Sequence, residues 1–405
     1  MTGWPARIGV VLGALVLGWL SIAVTVANFS AATRPSVALW LWPGHAVAES
    51  RLADSLVSSI QPGAASAQRA QVAQAAQDAA RALQRNPTLP AAARILAMQA
   101  AARGNDAQAN GLLAYSERLS RRDIPTQLAL LERRVSANDV PGALAHFGIA
   151  LQVAPSTQNL LFPVLSSALS QADLREPIAA LVHRGDEWRS DFLYYVAEHA
   201  DPVSGGTLFL SLARQGTPPT AGHLQPLIGR LINARNYAGA ARLYALVDRN
   251  WRLGDAAAEL DGGFARSGDL APFGWEYNQN IAVRGARADQ GDNNALQVNL
   301  PPSGEDWAAR KLLLIAPGRY RLTGAYGMMD GGTGRLRVEI SCAQGGSAAS
   351  TLAAILNRPA GSVDGTLDIP GNCTQQWLTI YASGEGSDNG GRLWLDDLRL
   401  VRAGG

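Results

Sequence analysis

Apolar and polar positions alternate with three different rhythms along this chain, and each rhythm predicts a different kind of structure. From Ile8 to Ala27 it reads IGVVLGALVLGWLSIAVTVA, and no charged residue stands between Arg7 and Arg34. About twenty consecutive apolar residues are what a helix needs to cross the hydrocarbon core of a bilayer. The run predicts one transmembrane helix within residues 1–30, its Arg7 end cytoplasmic by the positive-inside tendency. The competing expectation is a cleaved signal peptide with Thr25-Val26-Ala27 at the cut, although signal h-regions are usually shorter than this run. Either way the remainder is exported. In a bacterium that means a single pass through the inner membrane with the bulk of the chain periplasmic.

A helical rhythm follows over residues 36–258, rich in Ala, Leu, Arg and Gln and broken at Gly, Asn, Asp and Pro. Similar segments recur, among them LALLERRVSANDVPGALAHFGIALQVAP and LINARNYAGAARLYALVD. Gly104-Asn105-Asp106 and Ala137-Asn138-Asp139 stand 33 residues apart, and Pro87 and Pro155 stand 68 apart. Small residues such as Ala143 and Ala240 let helices approach closely, while Leu144, Phe147, Leu243 and Tyr244 fill the layers between them. A period near 34 with a small-residue turn between amphipathic helices resembles the tetratricopeptide repeat. The resemblance implies an α-helical solenoid whose concave side takes a protein partner, here a complex of the cell envelope. VHRGDEWRSDFLYYVAEHADPVSGG departs from the pattern, and RPSVALWLWPGHAVAESRLADSL reads as a helix-turn-helix edge with Pro43-Gly44 at the turn.

Near Asp261 the rhythm changes to period two, and residues 260–403 predict a β-sandwich of short strands. GRYRLTGAYG sets Tyr320, Leu322, Gly324 and Tyr326 against Arg319, Arg321 and Thr323. RLRVEISC sets Leu336, Val338, Ile340 and Cys342 inward against Arg335, Arg337 and Glu339. QQWLTIYAS alternates Leu378 and Ile380 with Trp377, Thr379 and Tyr381. The glycine-rich stretches DGGTG and GEGSDNGG read as turns between strands. Trp275, following Phe273-Gly274 at the entry to the fold, reads as core. The fold class is therefore multidomain α plus β: a transmembrane helix, a helical repeat solenoid and an antiparallel sandwich.

Composition narrows the function. The 405 residues carry a net charge of +2, and the arginines are scattered, which argues against a nucleic-acid protein with its basic stripe. Lys311 is the only lysine, a bias that carries no mechanistic weight. Cys342 and Cys373 are the only cysteines. In an exported chain an isolated pair reads as one disulfide, closing a loop of about 30 residues worth about 3 kcal/mol. The five histidines, His45, His146, His183, His199 and His223, share no ligand spacing, and neither a P-loop nor a GxSxG elbow is present. No enzyme activity is expected.

Three motifs in order, DGGFARSGDLAPFGWEY, APGRYRLTGAYG and GGRLWLDDLRL, resemble the galactose-binding-like jelly rolls of carbohydrate-binding modules. The resemblance implies glycan binding, with Asp396 or Asp397 at the closing strand as ligands of a structural calcium ion. Ala265 stands where such modules usually carry an acid. From the residues alone, the acid pair reads as the polar punctuation of a bulged edge strand. A sugar site needs an aromatic plane and hydrogen-bonding groups beside it. Trp377 and Tyr381, with Arg335, Arg337 and Glu339, supply both if their strands are neighbours. Otherwise these rings cover the second face of the sandwich or dock on the repeats. The expected function is a membrane-anchored adaptor in envelope or extracellular polysaccharide assembly or export. The alternatives are a purely structural protein scaffold and a glycan-modifying hydrolase or lyase.

Overall fold

Helix follows from the leading apolar run, as expected: α1 spans Trp4–Ser30, and its Ile8–Ser30 portion, 23 residues, is long and apolar enough to cross a membrane. The structure, a computed structural model, describes residues 4–59, 65–248, 250–265, 270–280, 283–290, 293–300, 304–329, 333–345, 348–356, 358–385 and 391–403. The turns expected at 330–334 and 384–391 lie largely outside the described residues. Two compact units divide the chain, Met1–Val164 and Leu165–Gly405.

In the first unit α1 is followed by α2 (Pro35–Leu41), α3 (Ala46–Ser58), α4 (Ala65–Arg85), α5 (Pro90–Ala102) and α6 (Asp106–Leu119). Then come α7 (Ile124–Ser136), α8 (Val140–Val153) and α9 (Gln158–Ala168), within which the division falls. Pro43-Gly44 makes the expected turn, with Gly44 at φ 88°. One spacing recurs between α5–α6 and α7–α8. Helix starts lie 34 residues apart in both layers, Pro90 to Ile124 and Asp106 to Val140. Gly104 (φ 74°) and Asn138 (φ 55°) take the left-handed turn position, a conformation glycine and asparagine adopt at least cost. Asn105 and Asp139 then cap α6 and α8, accepting from the backbone N–H groups of Gln108 and Gly142. The equivalent turns are thus offset by one residue from the 33-residue match of like letters.

The second unit joins α10 (Ala172–Arg184), α11 (Arg189–His199), α12 (Pro202–Arg214), α13 (Ala221–Asn233), α14 (Tyr237–Tyr244) and α15 (Ala256–Leu260) to ten strands. The segment that departs from the repeat is still helical; Gly185 leaves room for the buried Trp188 ring, which no side chain there would allow. Strands β1 (Glu276–Tyr277), β2 (Arg284–Gln290), β3 (Asn293–Leu300), β4 (Glu305–Leu313) and β5 (Gly318–Met328) lead into the sandwich. It is completed by β6 (Thr333–Cys342), β7 (Ala348–Leu356), β8 (Ala360–Ile369), β9 (Gln376–Glu385) and β10 (Gly391–Arg402). Two antiparallel sheets result, ordered β1-β4-β9-β6-β7 and β2-β3-β10-β5-β8. Leu296, Leu322, Tyr326, Val338, Ile340, Ile380 and Leu395 fill the core between them, and Trp275 is buried as expected.

Cys342 and Cys373 are bonded to each other, tying the end of β6 to the turn before β9 across a sequence separation of 31. Replacing both by serine is expected to lower the stability of the sandwich by about 3–4 kcal/mol, read from urea unfolding, because the unfolded chain regains the loop's freedom.

Helices meet sandwich at a buried charge pair. Glu259 is fully buried on α15, accepting from the backbone N–H of Leu314 (2.5 Å) and of Gly254 (2.6 Å). Burial pushes its carboxyl up from 4.5 to about 6, against the pull of those N–H groups and of Lys311. Lys311, also buried, donates to Leu260 O at 2.9 Å and lies 5.1 Å from the centre of the Trp275 ring. A carboxyl held above its unfolded value binds its proton more tightly when folded. It therefore adds stability below pH 4.5 that is lost as pH rises through about 6. The size is about 2 kcal/mol. Urea titrations at several pH values are expected to show this slope in the parent and its loss in Glu259→Gln.

Candidate functional site

Alternation places Trp377 and Tyr381 on one face of β9, and Arg335, Arg337 and Glu339 on one face of β6. The sheet brings the two together. β6 and β9 are antiparallel neighbours, with Arg335 opposite Ser383, Arg337 opposite Tyr381, Glu339 opposite Thr379 and Ser341 opposite Trp377. All point away from the core, whose residues are the intervening Leu336, Val338, Ile340, Leu378 and Ile380.

On the other side of β9, β4 adds residues that strict alternation hides. Trp307 stands opposite Tyr381 and Arg310 opposite Thr379, because the register shifts between Trp307 and Ala309. This bulge turns both Trp307 and Arg310 outward and sends Lys311 inward. Glu276 of β1 faces Arg310. One continuous row thus runs Glu276, Arg310, Thr379, Glu339 and Thr351 across all five strands.

Two clusters of planar groups occupy this face. The Arg310 guanidinium lies 4.7 Å from the Trp307 ring centre and 5.1 Å from that of Trp377. It is held there by a two-pronged bond to Glu276, at 2.8 and 3.1 Å. The Arg337 guanidinium sits 3.9 Å over Tyr381 and donates to Glu305 (2.8 Å) and Glu339 (2.5 Å). Those hydrogen bonds, Glu305 first, hold its charge far above the ordinary range. Cation–π contact and a forked carboxylate together fix each guanidinium over its aromatic neighbour. The rings and guanidinium groups are half-exposed, forming a mosaic edged by carboxylate oxygens. Such a surface can take the apolar C–H side of a sugar ring while offering donors and acceptors to its hydroxyls. One end is closed: Leu312, opposite Trp377, is fully buried, and its N–H donates to Pro272 O at 2.6 Å.

The closing acids lie elsewhere. Asp396 and Asp397 belong to β10, whose pairing with β5 shifts register between Asp396 and Arg399. A bulge is present, but β10 lies in the middle of its sheet, between β3 and β5, so the expectation of an edge strand is corrected. Two long neighbours and a buried Leu393-Leu395-Leu398-Leu400 stripe hold it there. Asp397 takes a left-handed backbone (φ 53°), and its N–H donates to Asp396 Oδ1 at 2.7 Å. Calcium needs six to eight oxygen ligands. Among the described residues no group of three or more His, Cys, Asp or Glu is placed to hold a metal ion. Ala265 offers no carboxylate, and its N–H is turned to Asp261 Oδ1 at 3.3 Å. Among the described residues no third acid completes a cluster with Asp396 and Asp397.

No family model matches the chain, and no characterised protein matches it by sequence. Solved structures of several sugar-binding domains align with part of it. TmCBM61 in complex with β-1,4-galactotriose aligns over 33% of this chain and 91% of its own, with 17% identity and a TM-score of 0.25. A CBM4 structure covers 35% and 97%, with 13% identity and a TM-score of 0.26. A carbohydrate-binding module from Cellvibrio mixtus lichenase 5A, in complex with cellotriose, covers 32% and 92%, with 15% identity and a TM-score of 0.22.

Proposed function

We propose that this protein is a membrane-anchored periplasmic adaptor serving the assembly or export of an envelope polysaccharide. Its tetratricopeptide-like helices bind an envelope protein, and the outer face of the β1-β4-β9-β6-β7 sheet binds glycan. The observation that carries the glycan reading is the mosaic of Trp307, Arg310, Trp377, Tyr381 and Arg337. Three arginines and three glutamates (Arg310, Arg335, Arg337; Glu276, Glu305, Glu339) balance its charge, which favours a neutral glycan over an acidic one. The carboxylates beside Arg310 and Arg337 are committed to those guanidinium groups, an arrangement suited to binding rather than to acid–base catalysis.

Retention of α1 as an anchor has its own support. Ala27 and Ala31 are buried against Ala38 and Ala48, and His45 Nε2 lies 3.0 Å from Asn28 Oδ1. Cleavage after Ala27 would take Ala27 out of this packing and place a charged amine on Asn28 beside it.

The test is affinity electrophoresis of the full chain in mild detergent, through gels containing the host's own extracellular polysaccharide. Retardation of the parent is expected, weakened about tenfold or more in Trp377→Ala. Equal, free migration of both would overturn the glycan reading. It would favour the purely structural scaffold, which the covered Leu312 end of the face already suits.

A further inference from the structure

The exposed apolar surface of α1 does not stop where the helix ends. Phe29 is 86% exposed at its last turn, and beyond it Val37, Trp40 (76%) and Trp42 stand open on and just after α2. Two tryptophans and a phenylalanine so exposed within a few turns of chain are a concentration of large apolar side chains that a water-facing surface rarely carries. No Asp or Glu precedes Glu49 in the sequence, and Arg34 is exposed between the two helices.

The patch is held at a defined height. Ile8–Ser30 is 23 residues, about 34 Å of helix at 1.5 Å per residue, against a hydrocarbon core of about 30 Å. With Ile8 at one boundary, Phe29 reaches the other. The alanine cluster and the His45–Asn28 contact lock α2 and α3 onto the end of α1, so α2 stands at the same level. Tryptophan concentrates in that layer, where its ring meets acyl chains and its N–H meets head groups.

We infer that α2 lies in the head-group layer of the membrane that α1 crosses, with Phe29, Trp40 and Trp42 inserted at the lipid interface. The partner of this surface is phospholipid. The inference rests on α1 being a retained span. Seated there, α2 fixes the height and tilt at which the first unit leaves the bilayer.

Spin labels test it in single-chain nanodiscs of phosphatidylcholine and phosphatidylglycerol. The two native cysteines are bonded to each other, so introduced thiols can be labelled without reduction. Labels go on Trp40→Cys, on Val16→Cys within the span, and on Arg103→Cys in an exposed turn. Collision with oxygen is compared with collision with a water-soluble nickel chelate. The ratio at position 40 is expected to be several-fold above that at 103 and below that at 16. A label at 40 that matches 103 while 16 stays in hydrocarbon overturns the interfacial seat and leaves the span intact. If 16 also reads aqueous, the span fails and the inference with it. A label at 40 shielded from both reagents means that protein covers the patch, which also overturns the inference.

Discussion

Arg94→Met is expected to lower the stability of the first unit by about 3–5 kcal/mol. Arg94 is only 3% exposed on α5, yet it binds two acids outside that helix. Its Nη2 donates to Asp54 Oδ1 of α3 at 2.6 Å, and its Nε to Asp123 Oδ2 at 3.0 Å. Asp123 is also the cap of α7, accepting from the Thr126 N–H at 3.2 Å. Methionine fills the volume but leaves two part-buried carboxylates without their cation, and that uncompensated charge is what makes breaking such a triad costly. Hydrogen exchange in α5 and α7 reads the effect as lost amide protection. Arg133→Met is the control. Its partner Asp106 is 76% exposed, and solvent screening limits the loss to under about 1 kcal/mol. Equal protection in the two variants would show that the Arg94 cluster stabilises nothing beyond an ordinary surface pair.

The contrast between Arg94 and the outer face of the β1-β4-β9-β6-β7 sheet marks what the sequence makes legible. Alternation reveals a strand's faces, so it groups Arg335, Arg337 and Glu339 on β6, and Trp377 and Tyr381 on β9. It says nothing about which strand lies beside which, because β7 and β8 separate β6 from β9 in the chain and the crossovers decide the order. Trp307 and Arg310 escape it for a local reason. The bulge at Ala308–Ala309 breaks the period of two, and a strict reading puts them on opposite faces. Glu276 sits in a strand of two residues, too short to show any period. Lys311 reads as a compositional accident in the sequence, yet it is buried at the helix–sandwich junction. Buried ionic groups of this kind, Arg94 included, are set by tertiary partners far away in sequence. No local pattern announces them.

Gly262→Ala is expected to unseat the closing strand, costing about 3 kcal/mol or more. A Cβ on Gly262 would overlap the Leu398 carbonyl, which is backbone and has no rotamer to move into. The same two residues are joined by a hydrogen bond from Leu398 N–H to Gly262 O at 3.0 Å, so relieving the overlap also breaks that bond. Neither partner yields easily. Leu398 is held between Asp396 and Arg399, both paired with β5, and Gly262 lies between Asp261 (φ 48°) and, two residues on, Phe264 (φ 47°), both already left-handed. Gly263→Ala next door is the control, since its nearest neighbour, Asp396 Oδ1, is 4.0 Å from the added carbon. That change should cost under about 1 kcal/mol. Urea midpoints that fall for Gly262→Ala alone would place the Asp396-Asp397 bulge in a structural seam, bending β10 so that its backbone meets the segment that opens the sandwich. Equal midpoints would mean that this seam is not tightly docked, and the adjacent acids would need another reason to be there.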